Sequence, residues 1–458
     1  MTTTPDSLAL VILAAGQGKR MYSDLPKVLH QLADKPLLQH VLETAYQLQP
    51  QQLYLVYGHG GTQLKTAFAQ APVTWVEQAQ QLGTGHAVAQ VLPYLTNQQR
   101  LLVLYGDVPL IPAQTLLNLC EKTPPEQVGV LTMTVDNPHG YGRIVRDTSG
   151  KVCKIIEEKD ADETIKAIRE INTGIMLIPI NPLRKWLQQL TNHNAQGEYY
   201  LTDIIALAVQ EAVGITTHAP AHEYDVLGVN DRLQLATLER YYQQQQVTQL
   251  MQQGLSVRDP ARLDIRGQVN IGRDVCVDIN VIFEGTVKLG NRVKIGAHCV
   301  LKDVDIADDV EIRSHCVLES CAIGAGSLIG PFARLRPETV LAEQVHIGNF
   351  VEVKKTTVGT GSKINHLSYI GDSEIGAQVN IGAGTITCNY DGVNKFKTVI
   401  EDNAFIGSDT QLVAPVRVAK GATIGAGSTV VRDTPADKLT LSRAQQVTIE
   451  HWQRPIKK

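Results

Sequence analysis

A glycine-rich turn, LAAGQGKRM (13–21), follows an apolar run and leads to Leu25, Pro26 and Lys27. Consecutive backbone N–H groups in such a turn can cradle a phosphate, and Arg20 and Lys27 place positive charge beside it. The spacing Gly16-Gln17-Gly18 matches neither the dinucleotide fingerprint nor the P-loop. The turn therefore indicates an anionic ligand without naming it. A second segment, GDVP (106–109), sets Asp107 at the end of another apolar run. A carboxylate in that position suits Mg²⁺, which takes one or two carboxylates plus phosphate oxygens. The competing reading is an aspartate that only shapes the turn after Gly106.

A second group of reactive side chains lies far along the chain. His366 sits in KINHLSY (363–369), accompanied by Arg336, Lys354, Tyr369, Asn380, Asn389, Tyr390 and Lys395. A histidine alone is more often structural. Here the repeat described below puts all these residues off the inward positions, so they should face outward. Arg336 and Lys354 are separated by one full coil of that repeat, which predicts a shared basic patch for a phosphate.

Two different scaffolds must position these groups. Residues 8–220 alternate apolar runs with helical stretches. The strand candidates are 8–16, 53–58, 73–77, 101–107, 128–135 and 175–180, several of them continuously apolar, as expected of strands covered on both faces. The alternation predicts a mostly parallel α/β sheet with ligands at the carboxyl ends of its strands. Residues 232–253 contain no Gly or Pro and carry Leu235, Leu238, Tyr242 and Leu250 as a rough stripe. They predict a connecting helix stopped by Gly254, with the Gln run as its solvated face.

From about residue 262 an aliphatic or aromatic residue recurs every sixth position. The series runs Ile265, Ile271, Val277, Phe283, Leu289, Ile295, Leu301, and resumes after one-residue slips up to Ile375 and Ile381. It stops between Ile386 and Ile400, where TCNYDGVNKFKT intervenes, and then returns through Val430. A six-residue period is the signature of a parallel β-helix, with three hexads to each triangular coil. Gly, frequent after the periodic residue, is expected to supply backbone freedom at the corners. Helical repeats are excluded by the Gly and β-branched content. The polar interruption is expected to be functional.

Composition sets the outer bounds. The chain has 458 residues, 43% apolar and 19% charged, with net charge −4. That balance fits a soluble protein of two or three domains and argues against nucleic acid as a partner. No apolar run is long enough for membrane insertion. The N-terminus superficially resembles a signal peptide but lacks a basic region, which predicts a first buried strand and a cytoplasmic location. The cysteines (120, 153, 276, 299, 316, 321, 388) form no CxxC pair and are expected to be buried reduced thiols.

The segments LAAGQGKRM, LPKVLH (25–30), EQAQQLGTGHA (77–87), YGDVPL (105–110), YGRIV (141–145), INTGI (171–175), EYYLTD (198–203) and GVND (228–231) occur in the order seen in sugar-1-phosphate nucleotidyltransferases. With the hexapeptide half, the chain resembles the family of bifunctional N-acetylglucosamine-1-phosphate uridyltransferase/glucosamine-1-phosphate acetyltransferases over nearly all of residues 7–457. The resemblance implies a Rossmann-like α/β nucleotidyltransferase domain (1–231), a linker helix (232–254) and a left-handed parallel β-helix acetyltransferase domain (255–458).

It further implies a nucleotide site lined by Leu13, Ala14, Ala15 and Gly16, with Gln78, Gly83 and Thr84 reading uracil and Tyr105 and Gly106 beside it. Arg20 and Lys27 would neutralise the phosphates, and Asp107 and Asn230 would hold Mg²⁺. Gly142, Glu157 and Asn172 would contact the N-acetylglucosamine part. In the second domain His366 would be the general base, with Arg336, Lys354, Tyr369, Asn380 and Lys395 gripping glucosamine 1-phosphate. Ala383, Asn389, Tyr390, Ser408, Ala426 and Arg443 would line the acetyl-CoA side.

The implied substrates are UTP, N-acetylglucosamine 1-phosphate, glucosamine 1-phosphate and acetyl-CoA. The implied product is UDP-N-acetylglucosamine for the bacterial cell envelope, and the implied assembly is a homotrimer. Lys19 stands where the family usually shows Thr, and Glu338 stands after Arg-Pro where Gly is common, which predicts a modest change of turn geometry near Arg336. One alternative is a monofunctional nucleotidyltransferase with a structural β-helix. Another is a non-enzymatic scaffold, which leaves the front-half motifs unexplained.

Overall fold

A computed structural model describes residues 8–95 and 100–457. Residues 1–7, which open the signal-like stretch, lie outside the described residues. The chain divides into two compact units, 1–242 and 243–458, and the division falls inside the helix Arg232–Gln252.

The first unit is built on a nine-stranded sheet. Its main path runs Ile215–His218, Val128–Thr134, Glu170–Pro179, Arg100–Tyr105, Leu8–Ala14, Gln52–Tyr57, Thr74–Glu77. All six expected strands are present. Every neighbour pair along the path is parallel except those made by Glu170–Pro179, which runs antiparallel to both of its neighbours. Alternation explains the continuous apolar runs. Leu8, Leu10, Ile12 and Ala14 belong to one core, while Ala9, Val11, Leu13 and Ala15 belong to another. A strand sandwiched between two helical layers must be apolar at every position. The antiparallel hairpin Gly142–Arg146/Val152–Ile156 was not expected. Its Arg143 is almost fully buried and pairs with Glu158 at 2.6 Å, so the strand carries no clean apolar pattern.

The second unit is a three-faced parallel β-helix. Each strand pairs in parallel with its counterpart one coil further on, as in Leu263↔Val281 and Lys294↔Glu311. The interval widens at Asn380↔Phe405, where the partners flank the polar interruption. The hexad residues form one continuous core; of them only Ile271 is partly exposed. Ile386 points outward, and Thr387, 1% exposed, takes the inward place. The rhythm therefore continues one step further than the aliphatic pattern shows.

The corner expectation holds only in part: Gly326, Gly361, Gly384, Gly421 and Gly427 do take left-handed φ between 67° and 77°. Many left-handed corner positions are filled by other residues, such as His298, His315, Phe332, Phe350 and Leu367 along one edge (φ between 49° and 64°). The hexad glycines serve a different need. A Cβ on Gly272 would lie 2.6 Å from the backbone of Gly290 in the next coil, and one on Gly348 would lie 1.9 Å from the Asn365 carbonyl oxygen. Space between coils, not φ, requires these two. Gly272→Ala should cost about 1–3 kcal/mol, the usual penalty of overpacking. Gly326→Asn, at φ +67° with its nearest neighbour 3.6 Å away, should be close to neutral. Urea midpoints of the two variants check the contrast.

Two further expectations change. Gln243, assigned to a solvated face, is 1% exposed. Its side-chain amide donates to the Ile265 carbonyl (3.0 Å) and accepts from the Ile265 N–H (2.7 Å). It thereby satisfies the open edge of the first coil, while Val247 and Leu250 join the same core. Of the cysteines, Cys120, Cys299, Cys316 and Cys321 are buried, but Cys276 is exposed. All seven are free thiols.

Candidate active sites

In the first unit two adjacent parallel strands end together, with Leu13 opposite Tyr105. The Gly106 N–H donates to the Leu13 carbonyl (2.9 Å), which fixes the GDVP turn beside the glycine-rich turn. A Cβ on Gly106 would meet Val28 at 3.2 Å and Ala14 at 3.3 Å, so only glycine fits that junction without displacement. The two strand ends open a cleft of about 550 Å³ lined by the turn and by Lys27, Gln78, Gly83, Thr84, Tyr105 and Asp107. Leu13, Ala14, Ala15 and Gly16 form its wall. Arg20, Gly106, Gly142, Glu157, Asn172 and Asn230 are not among its lining residues.

The segment from 78 to 86 is braced by the chain around Tyr199. The Gly85 N–H donates to the Tyr199 carbonyl (2.8 Å), the Tyr199 N–H donates to that of Leu82 (2.8 Å), and the Leu201 N–H donates to the Thr84 hydroxyl (3.0 Å). Gly83 adopts φ +110°, and a Cβ there would lie 2.6 Å from the Tyr199 oxygen. Gln78 is buried, and its amide nitrogen donates to the Gly83 carbonyl (3.0 Å). Gln17, Gln81 and Glu198 also line the cleft and were not singled out from sequence; Lys19, noted there only as a departure from the family pattern, lines it too. Gln81 and Glu198 lie within segments already noted, EQAQQLGTGHA and EYYLTD.

Lys27 joins the two expected metal ligands. Its ammonium pairs with the Asp107 carboxylate and lies 3.3 Å from Asn230 Oδ1. Asn230 is brought there by the Val229 N–H, which donates to the Asp107 carbonyl (2.9 Å). Two oxygens thus converge on one cation. A carboxylate and an amide oxygen are hard donors of the kind Mg²⁺ accepts, with phosphate oxygens completing its shell. Among the described residues no group of three or more His, Cys, Asp or Glu could hold a metal by itself.

Beside this cleft lies a buried polar cluster. Burial raises the Glu157 carboxyl above the usual range, opposed by a 2.9 Å hydrogen bond from the Thr202 hydroxyl. Burial, with Glu157 and Asp107 nearby, pushes the Tyr105 phenol far up, so it stays a neutral donor. A Cβ on Gly142 would stand 3.4 Å from the Glu157 oxygens. Asn172 is buried, and its side chain accepts from the Gly174 N–H (3.0 Å).

The residues expected at the second site stand on two neighbouring faces of the second unit. His366 is exposed, two residues after the inward Ile364. Its Nδ1 lies 2.8 Å from Oδ1 of Asn349, the register partner one coil below. Ala383, Ser408 and Ala426 hold the same position after Ile381, Ile406 and Ile424, which align coil on coil. They therefore continue one file along the edge, and the Arg443 side chain lies against Gly427 at the top of it. Asn380 is outward-facing on the strand just before Ala383.

Around the corner at Leu367, Arg336 and Lys354 stand in register. Lys354 meets Lys395, which the polar loop returns through a Tyr390–Lys395 bridge. Lys395, with a smaller contribution from Arg336, holds the Lys354 ammonium below its ordinary range. Arg336 also pairs with Glu352 at 2.8 Å. Gly371 forms the floor of this patch. A Cβ there would lie 2.5 Å from the Tyr369 hydroxyl and 2.9 Å from Asn389 Nδ2. Asn389 is buried and donates to Asp372. Glu338 adopts φ +66°, the left-handed conformation that glycine takes without cost.

Comparisons with known proteins agree with this two-part architecture. Residues 10–252 match the MobA-like NTP transferase domain family, 265–360 the GMPPB C-terminal domain and 397–432 the bacterial transferase hexapeptide family. A "Bifunctional protein GlmU" of Nitrosospira multiformis is 56% identical over 452 residues, 98% of each chain. Its namesake in Cupriavidus pinatubonensis is 56% identical over 98% of this chain and 99% of its own. That of Methylococcus capsulatus is 57% identical over 98% and 97%.

Proposed function

The chain belongs to the family of bifunctional GlmU proteins, and on that premise we propose that it makes UDP-N-acetylglucosamine in two steps at two separate sites. In the first step the 2-amine of glucosamine 1-phosphate attacks the thioester carbon of acetyl-CoA. A C–N bond forms, the C–S bond breaks, His366 takes the amine proton, and the coenzyme leaves as its thiol. Arg336, Lys354 and Lys395 seat the sugar phosphate, with Tyr369, Asn380 and Asn389 completing the pocket. Ala383, Tyr390, Ser408, Ala426 and Arg443 line the coenzyme side. The edge file is open to solvent, which is consistent with a homotrimer in which a neighbouring copy walls the site. UTP and acetyl-CoA as co-substrates favour the cytoplasm.

In the second step an oxygen of N-acetylglucosamine 1-phosphate attacks the α-phosphorus of UTP and pyrophosphate leaves. The attacking group is already an anion, so no protein base is needed. The cleft holds uracil at Gln78, Gly83 and Thr84, while Lys27 and Arg20 neutralise phosphate charge. Asp107 and Asn230 would hold Mg²⁺, which supplies electrostatic stabilisation of the phosphate oxygens. Gly142, Glu157 and Asn172 hold the sugar.

The observation that carries the two-activity reading is the gathering of Arg336, Lys354 and Lys395 beside the His366 corner. Like charges crowded together cost free energy, and a purely structural β-helix has no reason to collect them. The test is one mixture of glucosamine 1-phosphate, acetyl-CoA, UTP and Mg²⁺, followed for free thiol, pyrophosphate and UDP-N-acetylglucosamine. Pyrophosphate release only when N-acetylglucosamine 1-phosphate is supplied, with no thiol released, would leave a monofunctional nucleotidyltransferase.

Asn349 is the orienting partner of His366 in this reading. An amide oxygen that accepts from Nδ1–H leaves Nε2 free to take the amine proton. Asn349→Leu should lower kcat for acetyl transfer about 10-fold or more with KM little changed. Asn349→Asp should keep activity and move the acid limb of the pH profile upward, because a carboxylate favours the imidazolium. An unmoved profile would reduce Asn349 to a structural contact.

A further inference from the structure

Arg232 opens the helix Arg232–Gln252, so its charge stands at the end where the helix dipole disfavours a cation. Two contacts hold it there. Its Nε donates to the Met21 carbonyl (3.3 Å), and its Nη1 lies 3.3 Å from His30 Nδ1. A guanidinium can only donate, so Nδ1 is the acceptor and the ring carries its proton on Nε2. Burial, and then the charge of Arg232, lowers the pKa of His30 and keeps that ring neutral. One guanidinium thus fastens both ends of the segment 21–30, which carries Lys27. The two anchor points are firm. Met21, 1% exposed, packs among Leu32, Leu37, Val229 and Leu238. His30 is 5% exposed, its N–H donates to the Lys27 carbonyl (3.2 Å), and its carbonyl accepts from the Leu37 N–H (2.9 Å).

The same helix start carries Asn230. The Asn230 N–H donates to the Gln234 side chain (2.7 Å), and the Gln234 N–H donates to the Asp231 carboxylate (2.8 Å), so this turn is itself braced. The contacts close a circuit. It runs from Lys27 along the chain to His30, across to Arg232, back to Asn230, and from Asn230 Oδ1 to the Lys27 ammonium at 3.3 Å. We propose that Arg232 is a positioning residue for uridylyl transfer: by tying Met21 and His30 to the helix start, it sets where the Lys27 ammonium stands relative to Asp107 and Asn230. The inference rests on the uridylyl-transfer reading above. Neither Arg232 nor His30 lines the cleft, so both act through Lys27 and not on substrate. Arg232 is exposed, and its truncation opens no cavity.

The test measures uridylyl transfer, equilibrium UTP binding and acetyl transfer in the wild-type full chain, Arg232→Ala, His30→Leu and the double variant. In Arg232→Ala, kcat for uridylyl transfer should fall about 10–100-fold, the effect of misplacing a group by a change remote from the chemistry. The Kd for UTP should change less than about 3-fold, because the interaction lost is one that strengthens in the transition state. Millimolar guanidinium chloride should restore part of that kcat, whereas a chain that was merely destabilised would lose more activity in a denaturant. The double variant should be little worse than Arg232→Ala, since both substitutions cut one link. Acetyl transfer at the wild-type rate is the check on folding. Unchanged kcat, UTP binding weakened as much as kcat, or losses that multiply in the double variant overturns the assignment of Arg232 alone. Loss of both activities in Arg232→Ala, unrelieved by guanidinium, makes the contact structural and overturns it as well. A wild-type chain without uridylyl transfer overturns that reading and this inference with it.

Discussion

Thiol release from acetyl-CoA in the presence of glucosamine 1-phosphate should fall about 10²–10⁴-fold in His366→Ala, the range a positioned general base contributes. That corresponds to about 2.7–5.5 kcal/mol of transition-state stabilisation. Pyrophosphate release from UTP and N-acetylglucosamine 1-phosphate should continue at the wild-type rate. The prediction rests on placement. The ring stands outside the prism, 2.8 Å from Asn349 and at the foot of the file that runs through Ala383, Ser408 and Ala426. Truncating an exposed ring creates no cavity, so the fold should be unaffected. Acetyl transfer retained in this variant would remove His366 from the chemistry. Loss of both activities would mean that the substitution acts on folding.

Asp107→Asn should have the converse profile, with uridylyl transfer reduced about 10³-fold and acetyl transfer intact. Several kcal/mol of charge stabilisation by a bound metal ion is at stake, and each 1.36 kcal/mol is about one factor of ten. The substitution keeps the size of the side chain and removes the charge. It also leaves the Lys27 ammonium, which is largely buried, without its carboxylate partner. The loss should therefore depend on Mg²⁺ concentration, with partial recovery as it is raised. Wild-type uridylyl transfer by Asp107→Asn would show that Asp107 shapes the turn and nothing more.

The two scaffolds differed in how openly the sequence disclosed them. Strands covered on both faces are apolar throughout, so strands such as Leu8–Ala14 and Arg100–Tyr105 could be placed by inspection. The Gly142–Arg146 hairpin could not, because Arg143 is buried on the strength of an ion pair rather than an apolar side chain. The hexad positions follow from one constraint repeated coil after coil. That constraint concerns volume, which is why Thr387 fills an inward place where an aliphatic was sought. The same volume argument explains glycines such as Gly272 and Gly348, whose role lies in the neighbouring coil and cannot be seen in a single hexad.

Contacts between side chains were the hardest to anticipate. The one-coil offset that paired Arg336 with Lys354 also leads, when shortened by a slip, from His366 back to Asn349. The offset shortens wherever the repeat slips, so it finds the partner only when the slip is counted. Cleft residues such as Gln81 and Glu198 lay in recognisable segments, but nothing in their spacing separates a lining residue from its neighbours.

The amide of Gln243 engages both the N–H and the carbonyl of Ile265, so part of the lowest rung is already occupied from below. An unprotected rung at the end of a stack of parallel strands is a template on which another molecule can continue the ladder, and linear growth of that kind ends in fibres. One glutamine in an otherwise unremarkable polar run thus helps keep the repeat finite in that direction.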